Sequence, residues 1–191
     1  MIPQKKHILI LSSLVFAPLS QAFLSFAAYA DSIDNMQIEA ADFTDSQIAG
    51  VISVADEVVI STGNLAIKNA NNPKVVDFAK TVVKEHERFA AEFNGILNKA
   101  SVQGQDSATS LGLRAEGVRD LATLKMLKGA EFDREYLHQQ IKFEEHLVAL
   151  LDSSLIPSTK SVDIKNYLTA MRLDILKLVA KAKALQAEIG E

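Results

Sequence analysis

The chain has 191 residues, 20 basic and 24 acidic side chains, and neither cysteine nor tryptophan. This length suits a single domain. The lack of cysteine excludes disulfides, iron–sulfur clusters, thiolate zinc sites and cysteine nucleophiles. Because there is no excess of basic residues, the composition gives no indication of nucleic-acid binding.

The first 30 residues have the pattern of an export signal. A short basic segment precedes an apolar run, which is broken by Pro18 and ends in the small-residue sequence Ala28-Tyr29-Ala30. A run of about 20 apolar residues is also long enough for an uncleaved anchor. Pro18 and the small residues favour cleavage, so we predict a mature start at Asp31, with Phe23 as the second candidate.

Cleavage at Asp31 leaves 18 basic and 24 acidic residues, a net charge of −6. An acidic, cysteine-free, exported chain fits the periplasm or an outer-membrane-associated location in a bacterium. We expect no membrane span after cleavage. The predicted organisation is a signal peptide at 1–30, a flexible leader at 31–44 and a helical domain at 45–191.

Cap and breaker residues predict where the helices begin and end. Thr44 and Gln47 have the spacing of a capping box, which predicts that a first helix begins there. Asn71-Asn72-Pro73 separates it from a second helix that extends to about Ala100, because proline disfavours helical geometry in the preceding residue and suits a first helical turn.

The rest of the chain alternates polar loops and helical segments in the same way. Residues 101–110 form a polar loop, and a short helix from Leu113 to Leu127 is closed by Gly129. Further helices are predicted at 130–154 and from Ser161 to about Ile189. Short links favour antiparallel neighbours, so the predicted fold is all-α: an antiparallel four-helix bundle with a short extra helix between the second and third long helices.

Polar residues within the apolar faces are the candidate functional groups. At about 100° per residue, His86 lies near the centre of the apolar face of the second helix. Asp133, Gln140 and Glu144 lie along the core face of the third long helix. Burying such groups costs free energy unless each is paired or binds a ligand.

Three interpretations of His86 remain open at this stage. It is a core histidine paired with Asp133 or Glu144, a metal ligand together with Asp133, Glu144 and Glu85, or a group that senses pH. One imidazole with carboxylates suits Fe, Mn or Zn. Asp133 has a further interpretation as the cap of the third long helix.

Other segments resemble active-site motifs but do not meet all of their requirements. The segment Glu135-Tyr136-Leu137-His138 has the Glu-x-x-His spacing of di-iron bundles, but both end residues lie away from the apolar face. His86-Glu87 begins a zinc-protease motif that fails at Ala90. The sequence contains no serine-nucleophile elbow, P-loop or dinucleotide-binding glycine pattern, so no catalytic residue is predicted.

Two segments resemble a bacterial family, the domain of unknown function 4142. They run from Asn72-Pro73-Lys74-Val75 to Glu85-His86 and from Gly129 to Leu137, the latter with the Phe-Asp-x-x-Tyr pattern. The resemblance covers about residues 42–185. It implies an exported protein with a ferritin-like four-helix fold, of a kind labelled outer-membrane or periplasmic.

The departures from that family matter for the chemistry. The family pattern has a Glu where this chain has Val59, a His where it has Glu144, and often a His near Leu178. The first and fourth long helices are therefore expected to supply no ligand. Because di-iron centres draw ligands from all four helices, the departures argue against ferroxidase chemistry.

The predicted function is that of an exported, non-enzymatic helical bundle. It would bind an unknown protein or another envelope partner, or support the envelope under stress, as a monomer or weak dimer and without a cofactor. The alternative is a metal-binding, ferritin-like protein with one metal ion near His86, Asp133 and Glu144.

Overall fold

Five helices make up the part of the chain that the computed structural model describes, residues 42–190. They are α1 (Asp45–Asn69), α2 (Pro73–Ala100), α3 (Ala108–Met126), α4 (Gly129–Leu150) and α5 (Val162–Ile189). A π-helical turn, Leu151–Leu155, and a last turn, Ile156–Ser158, continue α4. These residues contain no strand, and the all-α prediction is confirmed. The predicted signal peptide, and the leader as far as residue 41, lie outside the described residues.

Side-chain caps set the starts of α1, α2 and α5 where the sequence predicts them. Thr44 and Gln47 form the reciprocal capping box of α1. Asn72 caps α2 immediately before Pro73, and Ser161 caps α5. Each cap oxygen accepts a backbone N–H that has no partner within the helix, which fixes the first turn.

The prediction for the short helix was wrong about its start and about the role of Gly129, whereas its end at Met126 lies within one residue of the predicted Leu127. Helix α3 begins at Ala108 rather than Leu113, because Ser107 and Ser110 exchange side-chain-to-backbone hydrogen bonds of 2.8 and 3.1 Å. Gly129 opens α4 with a φ of +59° and does not close α3. A left-handed φ of this size favours glycine.

Contacts between the helices establish an antiparallel four-helix arrangement. Lys74 near the start of α2 contacts Glu188 near the end of α5, and Arg88 contacts Asp174 midway along both. Hydrogen bonds join the start of α1 to the end of α4, between Asp45 and Thr159, and the end of α1 to the start of α4, between Asn72 and Asp133. Helices α2 and α4 therefore separate α1 from α5, and each helix runs antiparallel to its neighbours.

Helix α3 lies outside this arrangement and covers α1. The loop before α3 is held to α1 by a 2.8 Å bond from the Gln105 N–H to the Ser46 carbonyl. Further along, Gly117 packs against Val58. Residues later in α3 therefore contact residues later in α1, which means that the two helices run parallel.

Helix α1 is consequently enclosed on several sides. Thirteen of its 25 residues are buried. Its length and the mean hydropathy of 1.3 over its most apolar 18 residues also fit a membrane span, and 61% of that window is buried inside the protein. It is the one helix in residues 42–190 with this composition, and as the covered core helix of a bundle it has its apolar surface in contact with protein.

Candidate functional site

His86 lies at the centre of the helical core, as the sequence predicts. Its side chain is fully buried, and the Phe89 ring contacts its imidazole edge to face with centroids 5.1 Å apart. Helix α2 turns this residue inward because its apolar residues recur at helical spacing around it. A polar ring in such surroundings needs partners for both of its nitrogens.

Two carboxylates on different helices supply those partners. His86 Nδ1 lies 2.9 Å from Asp56 Oδ1 on α1, and its Nε2 lies 2.9 Å from Glu144 Oε1 on α4. Both acidic side chains are 3% exposed or less. The three residues, here called the core triad, link α2 to its neighbour α1 and to the diagonally placed α4.

The surroundings of the core triad favour a charged imidazole. Burial alone would lower the pKa of His86, but the charge of Glu144 and the hydrogen bonds to Asp56 and Glu144 outweigh it and raise that pKa to about 10. The protonated ring then donates a hydrogen bond from each nitrogen. Burial raises the pKa of the Asp56 carboxyl, and its bond with His86 offsets part of that rise.

Each carboxylate also has one oxygen without a hydrogen-bond partner. Gln140 donates a 2.8 Å bond to the same Glu144 oxygen that His86 contacts. Asp56 Oδ2 and Glu144 Oε2 are buried and make no hydrogen bond with any residue in 42–190. In the core triad, both imidazole nitrogens are therefore hydrogen-bonded, whereas one oxygen of each carboxylate has no hydrogen-bond partner.

Comparison with known proteins shows which family this chain belongs to. The model of the family described as "Domain of unknown function (DUF4142)" matches residues 30–185. The chain belongs to this family. No curated protein matches it.

A solved structure shares the fold of this DUF4142 protein. It is named "putative secreted protein DUF305 from Streptomyces coelicolor" and superposes with a TM-score of 0.64 at 16% identity. The match covers 79% of this chain and 96% of that chain. At so low an identity, the likeness shows the fold alone.

Asp133 does not join His86 in this DUF4142 protein. Its two carboxylate oxygens accept the backbone N–H groups of Asn71 and Asn72, at 2.9 and 2.8 Å. The interpretation of Asp133 as the cap of its own helix was wrong, since α4 has no side-chain cap bond at its start. Asp133 instead holds the turn between α1 and α2 against the first turns of α4.

Glu85 also lies away from the core triad. It accepts from Arg88 at 2.9 Å, and Arg88 also contacts Glu92 and Asp174. All of these side chains are partly exposed, so the cluster is a surface ion network between α2 and α5. Of the four residues predicted as metal ligands, the structure brings together His86 and Glu144 only.

The core triad as arranged does not fit a metal centre. Both ring nitrogens of His86 are engaged with carboxylates, so neither is free to bind a metal ion in this arrangement. Residues 42–190 contain no group of three or more His, Asp or Glu side chains placed to hold a metal ion. A metal would have to displace at least one of the two 2.9 Å bonds.

Asp56 is the site residue that sequence reasoning missed: the first helix, which was expected to supply no metal ligand, supplies a carboxylate to the core. The apolar residues of α1 recur at helical spacing along one stripe, which includes Val51, Ala55 and Val58. Helix α2 packs on α1 to one side of that stripe, and Asp56 lies on this side, where it contacts His86. Its acidic side chain among buried neighbours was the available signal.

Proposed function

We propose that this protein is an exported, non-catalytic helical bundle that works in the bacterial envelope by binding. The observation that carries the proposal is the closed core triad, in which the buried imidazole is already bonded to two carboxylates. Such a group joins helices and offers no free base or nucleophile to a substrate. The protein's work would then be done on its surface, as a monomer or weak dimer.

The proposal of export is supported by the N-terminal pattern and by the name of a structural neighbour. Residues 1–30 have the sequence of a signal peptide, and the structural neighbour is named as a secreted protein. Cell fractionation followed by intact-mass measurement tests this part of the proposal. We expect the protein in the periplasmic fraction with a mass starting at Asp31 or Phe23, whereas a mass retaining Met1 to Ala22 would overturn it.

The expectation that the protein binds no metal ion is tested by a separate experiment. Protein purified without chelators and without a histidine tag is analysed for metals and melted with Fe(II) under anaerobic conditions, or with Mn(II) or Zn(II). We expect far less than one metal per chain and no gain in melting temperature. A bound ion at a hundredfold excess over Kd would add about 2.7 kcal/mol to the free energy of unfolding.

The alternative function, a single-metal ferritin-like protein, has a distinct signature in the same experiment. It requires a metal-dependent rise in melting temperature that disappears in both His86→Leu and Glu144→Leu. The matched control is His146→Leu, because His146 is an exposed histidine two residues beyond Glu144. A rise that survives in both core variants but is lost in the control indicates adventitious surface binding.

A further inference from the structure

The outward side of α3 carries an apolar stripe. Three of the six exposed large apolar side chains in residues 42–190 lie there: Leu111, Val118 and Met126. Their spacing of seven and eight residues puts them on one helical face. Ala115 and Ala122 are also exposed and lie between these residues on the same face. We call these five residues the α3 stripe.

The fold does not account for the α3 stripe. Helix α3 packs onto the rest of the protein through other residues, chiefly Leu113, Gly117 and Leu124, which are buried. The stripe lies on the opposite side and faces away from α1. Single exposed apolar residues are ordinary on protein surfaces, but a contiguous set on one helix face marks an interaction site.

The charged residues of α3 that flank the α3 stripe are all basic. Arg114, Arg119 and Lys125 are exposed and flank it at about 60–80° from its centre. The acidic residues of α3 point elsewhere: Glu116 is bonded to Lys142 at 3.1 Å, and Asp120 lines an inner pocket. Arg114 has an acidic neighbour in the exposed Glu57, at 3.8 Å.

We propose that the α3 stripe binds the surface of a membrane that contains anionic phospholipids. Its apolar side chains would enter the boundary between headgroups and acyl chains, and the three flanking cations would contact lipid phosphates. This inference rests on the proposed function, for which it names the partner. A second copy of the chain is disfavoured, because a two-fold contact between stripes would oppose the same three cations on both helices.

Vesicle co-flotation tests the proposal on the processed, exported protein. The probes are vesicles of phosphatidylglycerol mixed with phosphatidylcholine, and vesicles of phosphatidylcholine alone. We expect binding to the anionic vesicles that weakens with added salt, and at least tenfold weaker binding to the neutral ones. Failure of the wild-type protein to float with anionic vesicles overturns the proposal.

Two sets of variants locate the binding surface. Replacing Leu111, Val118 and Met126 by Ser should abolish flotation, and replacing the three flanking cations by Gln should weaken it roughly hundredfold, at about fivefold per cation. The matched control is Leu173→Ser with Leu176→Ser on α5, since Leu173 and Leu111 are both 52% exposed. Helix α5 lies diagonally across the bundle from α1, which α3 covers.

All variants share one N-terminus, so any contribution of residues 1–41 to lipid binding is common to them. If the α3 variants bind as tightly as the control, the proposal is overturned. It is also overturned if the wild type sediments as a dimer that only the α3 variants dissociate, because the stripe would then bind a second copy. A protein that fractionates with the cytoplasm contradicts the proposed function and leaves the vesicle result independent of it.

Discussion

Gly117 of α3 packs so closely on Val58 of α1 that a Cβ atom at position 117 would lie 2.5 Å from Val58 Cγ2. The contact is enclosed, since Val58 is only 9% exposed and Gly117 is buried. We expect Gly117→Ala to lower the free energy of unfolding by about 1–3 kcal/mol through overpacking. Urea denaturation measures it.

Gly112 is the control for that substitution on the same helix. A Cβ atom at this position meets nothing within 4 Å. Because alanine is the better helix former, Gly112→Ala should raise the free energy of unfolding by roughly 0.5–1 kcal/mol. Equal effects of the two substitutions would contradict the close packing of α3 on α1.

The core triad predicts a loss of stability in alkaline solution. The folded-state pKa of His86 is about 10, well above the ordinary histidine value of about 6.5. Its stabilising charge is therefore fully present below pH 6.5 and is lost as the pH rises towards 10. We expect the free energy of unfolding to fall across this window, by at most about 1.4 kcal/mol per pH unit for one proton.

Glu144→Gln gives the matching variant for that pH profile. The charge of Glu144 contributes most to raising the pKa of His86, so its removal should lower that pKa. The pH range over which the free energy of unfolding falls should then become narrower. Urea denaturation at several pH values, with NMR titration of the imidazole, measures both effects. His146→Gln removes an exposed histidine and should leave the profile unchanged. A wild-type profile that is flat between pH 6.5 and 10 would contradict the pairing.

Asp133 predicts a local effect at the turn between α1 and α2. Asp133→Ala leaves the N–H groups of Asn71 and Asn72 without their acceptor and should lower the free energy of unfolding by roughly 1–3 kcal/mol. Amide exchange at both residues should quicken more than elsewhere. Glu131→Ala, on an exposed residue of the same helical turn, is the control. Unchanged exchange at Asn71 and Asn72 would show that the bonds do not form.

Two adjacent residues of α5 test how strongly the cost of a substitution depends on burial. Ile175 is fully buried, whereas the next residue, Leu176, is exposed. Ile175→Ala should leave a cavity and cost roughly 2–5 kcal/mol of stability, and Leu176→Ala should cost far less. Thermal unfolding compares them. Similar costs would mean that α5 docks through another face.

The sequence predicts a helix boundary well where one local interaction sets it. Thr44 with Gln47, Asn72 before Pro73, and Ser161 each act within a single helical turn, and all three starts are found as predicted. The start of α3 was misplaced because Ser110 takes the capping-box position that a Glu or Gln usually fills.

Contacts between distant segments account for what the sequence did not predict. The inward position of His86 follows from the periodicity of α2 alone, and its pairing with Glu144 was one of two predicted partners. The contribution of Asp56 depends on how α2 packs beside the apolar stripe of α1, which no pattern within α1 reveals. The same holds for Asp133, whose partners are backbone groups about 60 positions away in the chain.

The enclosure of α1 has a consequence for how the protein is made. Helix α1 is synthesised before every helix that covers it, and α3, α4 and α5 follow only after residue 107. Helix α2 can pack on one side of α1 as soon as it is made, but the sides of α1 that α3 and α4 cover stay exposed until those segments emerge. A nascent or translocating chain therefore exposes apolar surface of α1 while the second half of the domain is still being made, and a holding chaperone would have its binding surface there.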